Sequence, residues 1–274
     1  MSSAWGLVRE AALQDWRDCS DWTGQLDGVA VRIQRGGRYT TSASVSAESA
    51  GWLDRLLEVA SWPGPLVVGQ LGQTLDGRIA TVTGDSFYIN GLAARQHLHA
   101  LRALVDAVVI GVGTAVADQP RLTVRHVDGP SPVRVVIDPN DRMPRVGPLV
   151  EGAESDSPVM QLVASDTDLQ PLPAGVERLI IDRQAGGFEP PAIVRRLAER
   201  GLSRLLIEGG AHTVSGFLAA GALHRLHLLV APLLLGSGQA GLGLPPIERL
   251  AEARRLPMRC FPLADELLVS VALD

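Results

Sequence analysis

From Pro65 onward the chain alternates short, unbroken apolar runs with segments of helical apolar spacing. A strand that is apolar on both faces is buried on both faces, which is the environment of a parallel sheet sandwiched between helices. The runs place strands at 66–71, 107–112, 133–137, 159–164, 178–181, 204–207, 226–235 and 267–273. Helical spacing is expected at 92–104, 191–200 and 212–220. No helix separates the last two strands, so the C-terminal edge is expected to run antiparallel. The pattern predicts an α/β protein: a mostly parallel sheet, flanking helices and an antiparallel C-terminal edge.

Tryptophan usage marks a second division. Trp5, Trp16, Trp22, Trp52 and Trp62 all precede Pro63-Gly64-Pro65, and none follows it. A boundary at that breaker cluster separates a Trp-rich accessory segment, 1–62, from a main domain, 63–274. The small segment is expected to be α+β, with helices at 4–18 and 47–60 around a strand at 28–33. About 60 residues barely supply a core of their own, so it is expected to pack on the main domain.

Composition removes several functions. All 25 basic residues are Arg and none is Lys, which excludes a lysine Schiff base and the lysine of a phosphate-loop NTPase. A net charge of −5 gives no global basic field for nucleic acid or anionic membrane. Two cysteines build neither a disulfide framework nor a four-thiolate zinc site, and no metal site is expected. The N-terminus lacks a basic stretch followed by an apolar run, and no apolar stretch nears the ~20 residues of a membrane span. A soluble, cytoplasmic protein is expected.

Three segments sit where open α/β sheets bind ligands. Gly72-Gln73-Thr74-Leu75-Asp76-Gly77 leaves the first strand as a turn. Gly111-Val112-Gly113-Thr114 leaves the second as a glycine loop whose N–H groups and hydroxyl suit a phosphate. Glu208-Gly209-Gly210-Ala211-His212-Thr213 opens a helix, whose N-terminal N–H groups and dipole suit a pyrophosphate. Arg121 and Arg125 offer a phosphate clamp near Asp118. His97 and His99 lie two apart on a helix and face different ways, and His224 and His227 are expected to be solvated. There is no zinc-deaminase signature, no nucleophile elbow and no Ser/His/Asp arrangement.

Leu75-Asp76-Gly77-Arg78-Ile79-Ala80, Leu101-Arg102-Ala103, Gly111-Val112-Gly113-Thr114 leading into Ala117-Asp118, and Pro120-Arg121-Leu122-Thr123-Val124-Arg125 come in order. Val135-Val136-Ile137-Asp138, Glu208-Gly209-Gly210 and Ala231-Pro232-Leu233-Leu234-Leu235-Gly236 follow. Together they resemble the RibD C-terminal family, the pyrimidine reductases of riboflavin biosynthesis, over about 66–273. The resemblance implies a dihydrofolate reductase-like fold. It implies NADPH-dependent reduction of a ribosylaminopyrimidine phosphate, with hydride delivered to C1′ of the open-chain imine. By matched motif, Gly72, Tyr88, Thr114, Asp118, Gly210, Ala211, His212, Thr213, Val214, Ser215 and Gly216 would contact NADPH. Ser86, Arg102, Leu122, Arg125 and Glu208 would contact substrate, with Arg102 and Arg125 at its phosphate. Glu208 would orient the reacting end and Asp118 would hold the nicotinamide or ribose side, the two catalytic candidates. A homodimer is implied, and the run 226–235 could pair or pack across its interface.

The chain departs from the family in places. Gln70 stands where the family commonly has Lys, the Ala-Asp-Asp-Pro stretch reads Ala117-Asp118-Gln119-Pro120, and Tyr88-Ile89-Asn90 replaces an aromatic-Ile-Thr segment. The Trp-containing segment stands in place of the deaminase domain. These departures leave open a paralogous NADPH reductase of a different heterocyclic or cyclic-imine substrate, or a non-catalytic NADPH-binding protein. A preference for NADH is a third reading, with Arg142 the residue positioned to grip a 2′-phosphate if NADPH is used.

Overall fold

The structure, a computed structural model, describes residues 3–87, 89–155, 157–184 and 187–273. The chain divides into two compact units, Met1–Leu66 and Val67–Asp274.

The first unit holds α1 (Ser3–Ala12), β1 (Asp21–Leu26), β2 (Val29–Gln34), β3 (Tyr39–Thr41) and α2 (Ala47–Ala60). Ala4, Trp5, Val8 and Ala11 recur at helical spacing and bury one face of α1, as Leu53, Leu56, Leu57 and Ala60 do on α2. The Trp5 and Trp52 rings meet 5.7 Å apart. Ser46 caps α2 by accepting the Ser49 N–H at 3.1 Å. α1 stops short of the expected 4–18 because the buried Trp16 indole donates to Ala11 O at 2.7 Å and folds the chain back. β1, β2 and β3 form an antiparallel meander, of which the sequence pattern showed only β2.

The second unit contains β4 (Leu66–Thr74), β5 (Arg78–Ala80), α3 (Leu92–Ala103), β6 (Ala107–Gly111), α4 (Val112–Asp118), β7 (Val133–Ile137) and β8 (Val159–Ala164). It continues through β9 (Val176–Ile181), α5 (Pro190–Ala198), β10 (Arg204–Ile207), α6 (Ala211–Ala219), β11 (Arg225–Ala231), β12 (Gln239–Ala240), β13 (Met258–Leu263) and β14 (Glu266–Ala272). Nine strands form one sheet in the order β13-β14-β11-β4-β10-β6-β7-β8-β9. β10, β6, β7, β8 and β9 pair parallel, as do β11 and β4. β14 runs antiparallel to both β11 and β13, which makes the antiparallel C-terminal edge. β8 is buried at every position, as the unbroken apolar run requires. The core between sheet and helices includes Leu71, Val109, Val135, Leu162, Ile207 and Phe217.

Two expectations change here. The run 226–235 ends as a strand at Ala231, before Pro232, and lies between β4 and β14. With both edges hydrogen-bonded, it cannot pair across a subunit interface. His227 is 2% exposed rather than solvated, and His224 accepts the Val67 N–H through Nδ1 at 3.0 Å.

Candidate functional site

A cleft of about 1180 Å³ opens at the carboxyl ends of β4, β6, β7 and β10. Open α/β sheets bind ligands at this end, where loops diverge on either side of the sheet. β6 and β10 are parallel neighbours, so the two glycine segments that follow them emerge side by side. The Gly210 N–H donates to Thr114 Oγ1 at 3.1 Å, which joins the two segments directly. Glycine is required at this junction. A Cβ on Gly111 would lie 2.5 Å from Thr213 Oγ1, and one on Gly209, whose φ is +105°, would lie 2.9 Å from Thr114 Oγ1.

The segment after β6, read from sequence as a loop, is the short helix α4, capped by Gly111 and closed by Gln119 in the left-handed region. Its N-terminus and that of α6, capped by Gly210, both face the cleft, which Thr114, Gly210, Ala211, His212, Thr213 and Gly216 line. Unpaired N–H groups at two helix starts, with backbone reachable past glycine, fit a dinucleotide pyrophosphate. Val214 and Ser215, also expected at the cofactor, turn away from the cleft: Val214 is wholly buried and Ser215 Oγ accepts the Gly243 N–H at 2.9 Å. Asp118 reaches the cleft from the end of α4, and partial desolvation raises its carboxyl pKa although the residue keeps an exposed surface. Tyr88 lies outside the described residues.

Across the cleft, Asp138 ends β7 wholly buried. It accepts from Met143 N and Gln161 Nε2, both at 2.7 Å, and so closes its own loop rather than facing a ligand. That closure presents Asn140 and the exposed Arg142 to the cleft. The floor carries Gln70 and Gly72 on β4. A Cβ at Gly72 would meet Asn90 Oδ1 at 2.1 Å, and Asn90 in turn donates to Leu229 O and Glu266 Oε1.

The α3 wall differs most from expectation. Arg102 and Glu208 are each about 7% exposed at the side chain and form a two-bond ion pair, Nε to Oε1 at 2.8 Å and Nη2 to Oε2 at 2.7 Å. Neither lines the cleft. The Arg102 guanidinium is therefore committed to Glu208, and through Nη1 to Thr123 O at 3.3 Å, rather than open to a phosphate. Leu122 is likewise buried, with φ +57°, and Arg121 pairs with Glu151 at 2.8 Å. Arg125 stays exposed, its N–H held at 2.9 Å by His99 Nδ1. Burial and the surrounding cations, Arg102 first, push His99 down to about 3, so this acceptor stays neutral. Ser86, expected at the substrate, lines the cleft. Arg95 and Phe87, which the motifs did not single out, line it too; the i, i+3, i+7 spacing of Arg95, Leu98 and Arg102 is the signal that points to Arg95. Among the described residues no cluster of His, Cys, Asp and Glu suits a metal, and no helix is long and apolar enough to cross a membrane.

Comparison with known proteins places this geometry. The RibD C-terminal domain profile matches residues 65–258. The riboflavin biosynthesis protein RibD of Aquifex aeolicus is 32% identical over 194 residues, covering 70% of this chain and 53% of that protein. The 2,5-diamino-6-ribosylamino-4(3H)-pyrimidinone 5′-phosphate reductase of Methanothermobacter thermautotrophicus is 33% identical over 221 residues, covering 75% of this chain and 96% of its own length. The chain spans about half the length of the RibD proteins it matches. Among solved structures, the deaminase/5-amino-6-(5-phosphoribosylamino)uracil reductase of Thermotoga maritima superposes with a TM-score of 0.66 at 25% identity, covering 82% of this chain and 61% of that one. RibD of Acinetobacter baumannii gives 0.64 at 28% identity, with 82% and 62% covered. The sheet order, the paired glycine loops and the matched span agree on a dihydrofolate reductase-like reductase fold, and the chain belongs to the RibD C-terminal domain family.

Proposed function

We propose that this protein is an NADPH-dependent reductase of a ribosylaminopyrimidine phosphate in riboflavin biosynthesis. The observation that carries the reading is the 3.1 Å bond from Gly210 N to Thr114 Oγ1, which makes one dinucleotide crevice of two glycine loops 96 residues apart. NADPH, when bound, supplies the hydride, so the protein's task is position and electrostatics. Gly209 to Thr213 and Thr114 receive the pyrophosphate. Arg142 takes the 2′-phosphate that separates NADPH from NADH, since the alternative ribose acceptor, Asp138, is turned inward. Asp118, whose carboxyl pKa desolvation raises, is the group placed to give a proton as the imine becomes an amine. Glu208 acts through Arg102, fixing the loop that carries Arg125. A homodimer fits the exposed apolar residues Leu244, Ile247 and Leu250 and the exposed Met258 that opens edge strand β13, and NADPH chemistry of this kind belongs in the cytoplasm.

The test is NADPH consumption with the two pyrimidines named for the relatives: the 2,5-diamino-pyrimidinone ribosyl phosphate and the 5-amino-uracil ribosyl phosphate. Turnover of either supports the reading, and NADH should serve poorly. NADPH binding with no consumption on either pyrimidine would refute it in favour of a binding protein.

A further inference from the structure

Asn90 stands where the family carries Thr, and the fold fixes which way its amide lies. Nδ2 donates to Leu229 O at 3.2 Å and to Glu266 Oε1 at 3.0 Å. A main-chain carbonyl and a carboxylate accept and do not donate, so only one orientation of the amide satisfies both. Both amide hydrogens therefore go to the protein. The carbonyl oxygen is left over Gly72, in the space a side chain would fill: a Cβ on Gly72 would lie 2.1 Å from it. Among the described residues nothing donates to Asn90 Oδ1, and both Asn90 and Gly72 line the cleft.

Glu266 makes this orientation firm. It opens β14, is buried, and accepts the Gly91 N–H with each of its oxygens at 3.0 Å. Gly91 caps the N-terminus of α3, where the helix dipole favours a negative charge. Hydrogen bonds from two N–H donors offset the cost of burying the carboxylate. The C-terminal edge of the sheet is thereby tied to the cleft floor.

Sheet order says which part of a dinucleotide this oxygen meets. The strands run β4-β10-β6-β7. The glycine segments that suit a pyrophosphate follow β10 and β6, in the middle, and Arg142, given above to the 2′-phosphate, follows β7 on one side. The nicotinamide half is left for β4 on the other side, about 5 Å beyond β10. We propose that Asn90 Oδ1 accepts the carboxamide N–H of the nicotinamide, and that Glu266 is the positioning residue that keeps this oxygen, rather than the NH2, turned to the cleft. A fixed acceptor attracts the carboxamide NH2 and repels its carbonyl, so it also sets which way round the carboxamide lies on the ring. The inference rests on the NADPH reading above.

Calorimetric binding of NADP+ and of its 3-acetylpyridine analogue, in which a methyl replaces the carboxamide NH2, tests this without turnover. Wild type should bind NADP+ about 5- to 30-fold more tightly, because the analogue leaves the acceptor unpaired. Asn90→Leu keeps the size without the acceptor and should bind the two within about twofold. Asn90→Thr should do the same: its shorter hydroxyl can still donate to Glu266 but does not reach over Gly72, which guards against a leucine variant that fails to fold. Glu266→Gln should narrow the gap as well, because a glutamine NH2 facing Asn90 turns the Asn90 amide over. A general loss of packing weakens both dinucleotides alike and leaves their ratio standing. Equal binding of the two by wild type, or a gap that survives in the folded Asn90 variants, would overturn the proposal. A gap unchanged in Glu266→Gln would overturn the positioning role. Equal binding by wild type leaves the reductase reading intact, whereas a wild type that binds neither dinucleotide would overturn both.

Discussion

Glu208→Gln separates a structural role for this carboxylate from a direct catalytic one. Both partners of the Arg102–Glu208 pair are about 7% exposed and joined by bonds of 2.8 and 2.7 Å. The glutamine keeps the shape and removes the charge, leaving a buried guanidinium with one neutral acceptor. Breaking a buried pair from one side costs about 3–5 kcal/mol, because the remaining charge is uncompensated. For a unit of this size each kcal/mol lowers Tm by about 2–4 °C, so a drop of about 6–20 °C is expected. Scanning calorimetry of wild type and variant measures it. Arg102→Met alone should lose a similar amount, and Arg102→Met with Glu208→Leu should recover most of it, since the double variant buries no charge. A Tm within about 2 °C of wild type for Glu208→Gln, with turnover abolished, would refute this account and return Glu208 to direct contact with substrate.

Gly72→Ala should displace Asn90, whose Oδ1 would stand 2.1 Å from the new methyl, and break its bonds to Leu229 O and Glu266; a stability loss of about 1–3 kcal/mol in denaturant titrations is expected. Acid should destabilise the fold through His227, buried and held down to about 4 by desolvation and then by Arg225. The charged form is disfavoured only in the folded state, so stability is complete above the ordinary His value near 6.5 and falls as pH drops toward 4, by about 3 kcal/mol at the low end. Stability–pH curves of His227→Gln should lose that slope. The raised carboxyl of Asp118 predicts a rate that falls as pH climbs through its pKa, and Asp118→Asn should remove that limb from the kcat profile.

The sheet was legible because its signal is local. β7, β8 and β10 begin and end where their apolar runs do, and α2 spans the expected 47–60. α4 was hidden by Gly111 and Gly113, which read as a loop, although Gly111 caps the helix and Gly113 lies inside it. β13 was missed because it is an edge strand carrying Arg259, Cys260 and Pro262, residues an edge tolerates and a central strand does not. The site divides the same way. Glycine segments at strand ends mark where the cleft opens, but no spacing reveals that Arg102 and Glu208, 106 residues apart, neutralise each other away from its lining. His227 read as solvated because one residue cannot show that its strand lies inside the sheet.

Calorimetric titration of Gly210→Val with NADPH bears most directly on the shared crevice. A Cβ at Gly210 would sit 3.7 Å from Thr114 Oγ1, an ordinary contact, and the residue is in an extended conformation open to any side chain. The variant should therefore fold and melt like wild type, yet its added bulk should stand where the pyrophosphate approaches the backbone and weaken NADPH at least about 100-fold, a loss near 3 kcal/mol. Wild-type NADPH affinity in a well-folded Gly210→Val protein would contradict the account.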